Sequence, residues 1–204
     1  MSVSAALSAV ASGRPFSTSR EALERAAFAL FEERGFDQTS IDDIADAAGI
    51  GRRTFFRYYP SKNDLVWGNF EQELRKMRSS LDTSAPGKPL MDAIRESVVS
   101  FNLIVPGNEE AHRRRMRMIL GVPTLVANST LRFAAWRAEI ARFAADRLGV
   151  ADDDLAPVVI GYSALGASIA AYEQWLKVED ADLSALLNDA FGQLAAAVRE
   201  TSRT

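Results

Sequence analysis

The stretch from Thr39 to Lys62, TSIDDIADAAGIGRRTFFRYYPSK, leaves the chain few conformations, because helix-start and helix-stop signals sit too close together for anything but two short helices about a tight turn. Ser40 followed by Asp43 forms a capping box. Ile41, Ile44, Ala45 and Ala48 then recur on one face at helical spacing. Gly49 stops this helix: reversing direction within three residues requires a left-handed residue, which glycine supplies without a Cβ penalty. A second helix is predicted from Arg52 to Tyr59, ended by Pro60. It turns Phe55 and Tyr59 inward and leaves Arg52, Arg53, Thr54, Phe56 and Arg57 outward. Two such helices, the second bearing cationic and hydroxyl side chains, form the arrangement that sets a recognition helix in the major groove of double-stranded DNA.

A net charge of −3 is the wrong sign for a chain that meets phosphates, but its distribution answers the objection. Arg14 to Arg78 holds eleven basic and eleven acidic side chains, so the negative balance lies in the remainder. Arg52, Arg53, Arg57 and Lys62 have no acid between them, and Asp42 and Asp43 suit the positive end of their own helix. The absence of cysteine and the single histidine remove disulfides, thiolate chemistry and cysteine-based metal sites, and no metal or cofactor is expected. Residues 1–17 open with a serine- and alanine-rich run that lacks the leading positive charge of a signal peptide, so a disordered arm is expected. No run approaches the apolar length needed to cross a bilayer, which points to a cytoplasmic protein away from membranes.

Everything after the glycine turn reads as helix, with no alternating strand pattern and no internal repeat. A long helix from about Asn63 to Ser80 repeats Leu65, Phe70, Leu74 and Met77, and the breaker-rich Asp82 to Pro89 follows it. Further helices are predicted at about Leu90 to Val105, Glu109 to Leu120, Leu125 to Leu148, Leu155 to Val178 and Leu183 to Arg199. The expected fold is all-α: a three-helix helix-turn-helix domain over 18–62, a connecting helix over 63–81 and a larger helical domain over 82–204.

From Arg20 to Leu81 the chain resembles the DNA-binding domain of TetR/AcrR-type transcriptional regulators. The resemblance rests on Phe31-Glu-Glu-Arg34-Gly35-Phe36, Thr39-Ser40-Ile41, Ile44-Ala45, Ala48-Gly49-Ile50 and Phe55-Phe56-Arg57-Tyr58-Tyr59-Pro60-Ser61-Lys62. Gly49 through Tyr58, with Lys62-Asn63-Asp64 and Trp67-Gly68 behind, is similar to the regulators associated with mycofactocin gene clusters in actinobacteria. Two positions depart from the family pattern. Gly51 stands where a serine usually caps the recognition helix, and Phe56 replaces the tyrosine that usually bonds a phosphate, leaving apolar contact to sugar or a thymine methyl. The candidate DNA contacts are Thr39, Ser40, Arg52, Arg53, Thr54, Phe56, Arg57 and Lys62, with Thr39 and Lys62 placed on the backbone by the resemblance.

Small residues at Gly161, Ala164, Ala167, Ser168 and Ala171 permit close helix approach, and Leu183, Leu187, Ala190, Phe191, Leu194 and Val198 form a stripe on the last helix. Periodicity leaves open whether these pack within one subunit or between two. The resemblance implies a four-helix bundle across a two-fold axis, with Ala164, Ala167, Ala171, Leu187, Phe191 and Leu194 at the interface of a homodimer on a palindromic operator. It also implies a small-molecule effector, with fatty acyl-CoA suggested by the subgroup. Phe101, Ile104, Met116, Leu120, Phe133, Trp136, Tyr162 and Tyr172 are the candidate pocket residues, and Arg113 and Arg117 the candidate anion contacts at its mouth. The implied function is a ligand-released repressor. An enzyme is disfavoured because His112 sits among arginines and no nucleophile or carboxylate pair has a catalytic spacing. A helical interaction module without DNA binding leaves the arginine-rich second helix unexplained.

Overall fold

The computed structural model describes residues 19–201, with side chains described up to 196; the arm expected over 1–17 lies outside the described residues. Among the described residues there are ten helices and no strand. They divide into two compact units, one up to Lys62 and one from Asn63 onward.

The first unit contains α1 (Arg20–Arg34), α2 (Ile41–Ala47) and α3 (Arg52–Tyr58). Ser19 caps α1 by accepting from the Ala22 amide, and Gly35 ends it at φ +83°. The Ser40–Asp43 capping box starts α2 as the sequence predicts, with both reciprocal bonds present. Gly49 takes φ +66°, and the Ile50 amide reaches back to the Ala45 carbonyl at 2.9 Å, which closes the turn. Gly51 gives α3 no side-chain cap. One apolar side of each helix makes the core: Leu23, Ala27, Phe28 and Phe31 meet Phe36, Ile44, Ala45, Phe55 and Tyr59, all buried. Each large member contributes about 1.5–3 kcal/mol by leaving water.

Helix α4 (Lys62–Trp67) crosses the boundary, and the second unit continues with α5 (Phe70–Asp82), α6 (Leu90–Phe101), α7 (Glu109–Gly121), α8 (Pro123–Leu148), α9 (Leu155–Lys177) and α10 (Leu183–Thr201). The single long helix expected from Asn63 to Ser80 is therefore two. Gly68, at φ +59°, donates to the carbonyls of Asp64 and Leu65 and stops α4, a termination that the apolar repeat alone does not reveal. Helix α6 likewise ends at Phe101 rather than Val105, because Asn102 turns its side-chain amide back onto the Val98 carbonyl at 2.8 Å. Pro123 at the first turn of α8 begins that helix earlier than Leu125.

Helices α5, α6, α8, α9 and α10 share one core of Phe70, Leu74, Met77, Ile94, Val98, Trp136, Ile140, Tyr172, Trp175, Leu187 and Phe191. Arg78 on α5 grips Glu139 on α8 with two parallel bonds of 2.7 and 2.5 Å. The small-residue stripe of α9 has a definite partner. A Cβ at Gly161 would lie 2.9 Å from the Arg137 carbonyl of α8, so this seam closes inside one chain. By length and composition α9 is apolar enough to cross a membrane, at mean hydropathy 1.5, which corrects the sequence expectation that no segment qualifies. In this fold its Gly161, Ala164, Ser168, Ala171 and Trp175 side is buried.

Candidate nucleic-acid interface and effector region

Helix α3 presents Arg52, Arg53, Phe56 and Arg57 on its exposed side, with Thr54 half-buried and Phe55 beneath. The exposed groups are not independent. Arg52 donates to Asp42 of α2 at 2.7 Å and stacks its guanidinium 5.5 Å from the Phe56 ring centroid, while Arg57 lies 5.3 Å from the Tyr58 ring. Phe56 leans edge-on to Phe55, which fixes the one large apolar side chain exposed on this helix. A cation oriented beside an exposed ring can address a base edge and a thymine methyl together.

Three other candidates are occupied elsewhere. Thr39 is buried, with its hydroxyl donating to the Gly35 carbonyl at 2.8 Å, so it fastens the end of α1 and is not poised for a phosphate. The Lys62 ammonium donates to the carbonyls of Phe36 and Thr39 at 2.6 and 2.9 Å and sits 4.3 Å from the Phe36 ring. Partial burial pulls its pKa below the ordinary lysine value, against the nearby Asp37 charge. Lys62 thus pins the loop between α1 and α2. Ser40 is exposed, but its hydroxyl bonds the Asp43 carboxylate at 2.6 Å, which holds that carboxyl below its usual range.

In the second unit the eight candidate pocket residues separate. Trp136 and Tyr172 are core, and Phe101, Ile104, Met116 and Leu120 pack partly buried against it. Phe133 stands edge-on to Trp67 at 5.7 Å. Tyr162 is exposed on α9 with Arg137 stacked 4.1 Å from its ring, and it lines a different cleft of about 280 Å³ between α8 and α9. A cleft of about 410 Å³ takes in Ile104 together with Asn102, Arg113 and Trp175, rimmed by Glu109, Glu179, Asp180 and Asp182. That acidic rim is unsuited to phosphate.

The arginine-rich α7 also reads differently in three dimensions. Arg113 is buried: it lies 4.0 Å from the Trp175 ring and donates to the carbonyls of Trp175, Glu179 and Ala181, satisfying the last turn of α9 and the loop after it. It is thus no anion contact, because those carbonyls already take its donors. Arg117 is exposed and pairs with Glu110 at 3.1 Å, and Arg115 donates to the Val66 carbonyl at 2.6 Å. His112, one position before Arg113, contacts the Tyr172 hydroxyl at 2.9 Å, and that hydroxyl donates to Asn102 at 2.7 Å. Burial, then the Arg115 charge, lowers the His112 pKa to about 4, and burial pushes Tyr172 upward, so both stay neutral. A neutral pair of this kind is a structural link and not an acid–base couple.

The interface candidates divide in the same way. Ala164, Ala171, Leu187 and Phe191 are buried in the chain's own core, which removes them from any surface between subunits; Ala167 and Leu194 are half-buried.

Residues 24–66 match the family description "Bacterial regulatory proteins, tetR family", and residues 88–199 match "MftR C-terminal domain". The MftR protein of Mycobacterium tuberculosis, named as a mycofactocin biosynthesis transcriptional regulator, is 41% identical over 90% of this chain and 93% of its own length. The chain belongs to the TetR family. As a TetR-family member with an MftR-type C-terminal domain it is a DNA-binding transcriptional regulator, and its relatives are regulators, not enzymes. Among solved structures, the fold is similar to that of FadR from Thermus thermophilus, described as a TetR-family transcriptional repressor in complex with lauroyl-CoA. The TM-score is 0.53 at 24% identity, covering 87% of this chain and 93% of that one. FadR from Bacillus subtilis, in complex with stearoyl-CoA, gives a TM-score of 0.60 at 17% identity and covers 86% and 97%.

Several residues that shape this TetR-family chain escape the sequence reading. Asp42 reads as a helix-dipole residue, yet its partner Arg52 stands ten positions away across the turn. Arg113 and Asn102 act through contacts about seventy positions distant, for which a single sequence carries no signal.

Proposed function

We propose that this TetR-family regulator binds a palindromic operator as a homodimer in the cytoplasm, acts as a repressor, and is released by an amphiphile with a long apolar chain, of the fatty acyl-CoA class. The observation that carries the DNA half is the exposed Arg52–Phe56 pair on α3, flanked by Arg53 and Arg57. With Thr39 and Lys62 occupied, base reading falls to Arg52, Arg53, Thr54 and Phe56, and phosphate contact to Arg57 and the exposed end of α2 near Ser40.

For the dimer, the outer side of α9 replaces the buried stripe. Val159, Tyr162, Gly166 and Ala170 share one exposed side of that helix, joined by the half-buried Ala167 and by Leu194 of α10. Small residues there allow a second copy to approach closely.

The acyl reading is supported by the FadR neighbours, whose descriptions name lauroyl-CoA and stearoyl-CoA, and by the aromatic cluster with adaptable Met116 at its edge. Titrating acyl-CoA of increasing chain length into a protein–operator complex tests it. Release that strengthens with length supports the reading; no release at any length, or equal release by free coenzyme A, overturns it while leaving DNA binding intact.

A further inference from the structure

Trp67 closes α4, and its indole Nε1 is buried with no hydrogen-bond acceptor among the described residues. Native folds rarely leave such a donor orphaned, because removing it from water without a new partner forfeits a hydrogen bond. Nothing beside it offers a remedy. Phe70 and Phe133 stand edge-on to its ring with centroids 5.1 and 5.7 Å away. Arg132 covers the ring 5.1 Å from its centroid, and that guanidinium takes the neighbouring carboxylate, Asp64.

The ring is also held in place. Arg115 of α7 bonds the Val66 carbonyl at 2.6 Å, the helix stops at Gly68, and the flanking aromatic rings leave little room to turn. From Trp67 a run of edge-to-face contacts passes to Phe70, Phe101 and Trp136, at 5.1, 6.2 and 6.4 Å, with half-buried Ile104, Met116 and Leu120 against the same cluster. A buried, unsatisfied single donor joined to a continuous apolar cluster matches one kind of ligand: an apolar chain ending in one neutral acceptor.

We infer that Trp67 is the carbonyl-recognition residue of the effector site, its Nε1–H donating to the thioester oxygen of a bound acyl-CoA whose chain repacks Phe101, Met116 and Leu120. This rests on the acyl-effector reading above and adds a discrimination that reading does not contain. Indole offers one donor and no positive charge, so it suits an uncharged carbonyl. A carboxylate brought to the same place must shed its hydration among aromatic rings with Arg132 already neutralised by Asp64, so the free fatty acid is disfavoured.

The test compares lauroyl-CoA with S-dodecyl-CoA, the thioether that lacks only the carbonyl, by calorimetry on the full chain. The wild type is expected to prefer the thioester by about tenfold, the worth of one hydrogen bond to an otherwise unsatisfied donor. Trp67→Phe keeps a ring in place and removes the orphan, so it is expected to hold its ligand-free melting temperature and to bind both compounds equally, at the thioether's affinity. Equal binding of the two by the wild type, or a preference that survives in the phenylalanine variant, overturns the role of Trp67 and leaves the acyl effector standing. Failure of the wild type to bind either compound overturns both. The wild-type comparison decides the matter without the variant should the latter fold poorly.

Discussion

Arg52 of α3 and Asp42 of α2 join the two helices of the DNA-binding turn by a 2.7 Å ion pair at the surface, and the same guanidinium stacks on Phe56. Exposed on both sides, the pair contributes at most about 1 kcal/mol to folding. In the proposed DNA-binding role, the pair aims a long side chain before DNA arrives.

Arg52→Ala is accordingly expected to cost about 1–3 kcal/mol on the operator and to flatten base discrimination at one or two positions in each half-site. Asp42→Asn, which frees the arginine and removes a negative charge, is expected to strengthen binding to random DNA and so narrow the specificity ratio. Parallel titrations on operator and scrambled duplex measure both; an unchanged ratio in either variant removes the pair from base reading.

For Lys62 the expectation is stability rather than salt dependence. Lys62→Met strands two carbonyls in the loop between α1 and α2 and is expected to lower stability by about 1–3 kcal/mol, with the salt slope of DNA binding changed by less than one phosphate's worth. Thr39→Val acts in the same direction and less strongly. Thermal melts beside salt titrations separate the roles: a slope reduced by about one unit with stability intact restores a phosphate contact.

Phe191→Asp and Ala171→Arg are expected to unfold the second unit, because both positions are buried in the subunit core and an unpaired charge there costs several kcal/mol. Ala170→Arg, on the exposed side of α9, is expected instead to give a folded monomer with weakened operator binding. Sedimentation and circular dichroism on the three proteins test this, and a stable Ala170→Arg dimer with full operator affinity refutes the proposed interface.

His112 predicts an acid-side loss of stability. Its pKa near 4 in the fold lies below the unfolded value near 6.5, so the unfolded chain binds the extra proton. Stability is then complete above about pH 6.5 and falls as pH drops toward 4, by up to about 3 kcal/mol. Denaturant titrations between these limits should show the slope, and His112→Gln should flatten it; an equal slope in the variant assigns the loss to carboxylates.

The elements easiest to read in the sequence were those with local causes. The Ser40–Asp43 box, the Gly49 turn and the inward Phe55 need only neighbours within four residues, and each stands where the pattern places it. The break at Gly68 is equally local but is masked in the sequence, since Leu65, Phe70, Leu74 and Met77 continue the apolar repeat across it. The candidate sites were less legible because they depend on distant partners. A stripe such as Ala164 and Ala171 shows that a helix has a partner without naming it, and Thr39 and Lys62 look like phosphate donors until the carbonyls they meet are known.

The contact between Gly161 and the Arg137 carbonyl leaves α8 and α9 with a single register. Sliding the pair by one turn brings Pro157 or Leu165 to that carbonyl, and neither fits where even a methyl is crowded. The two longest helices of the chain therefore behave as a fixed keel. When an effector enters, adjustment must fall outside this locked pair of helices.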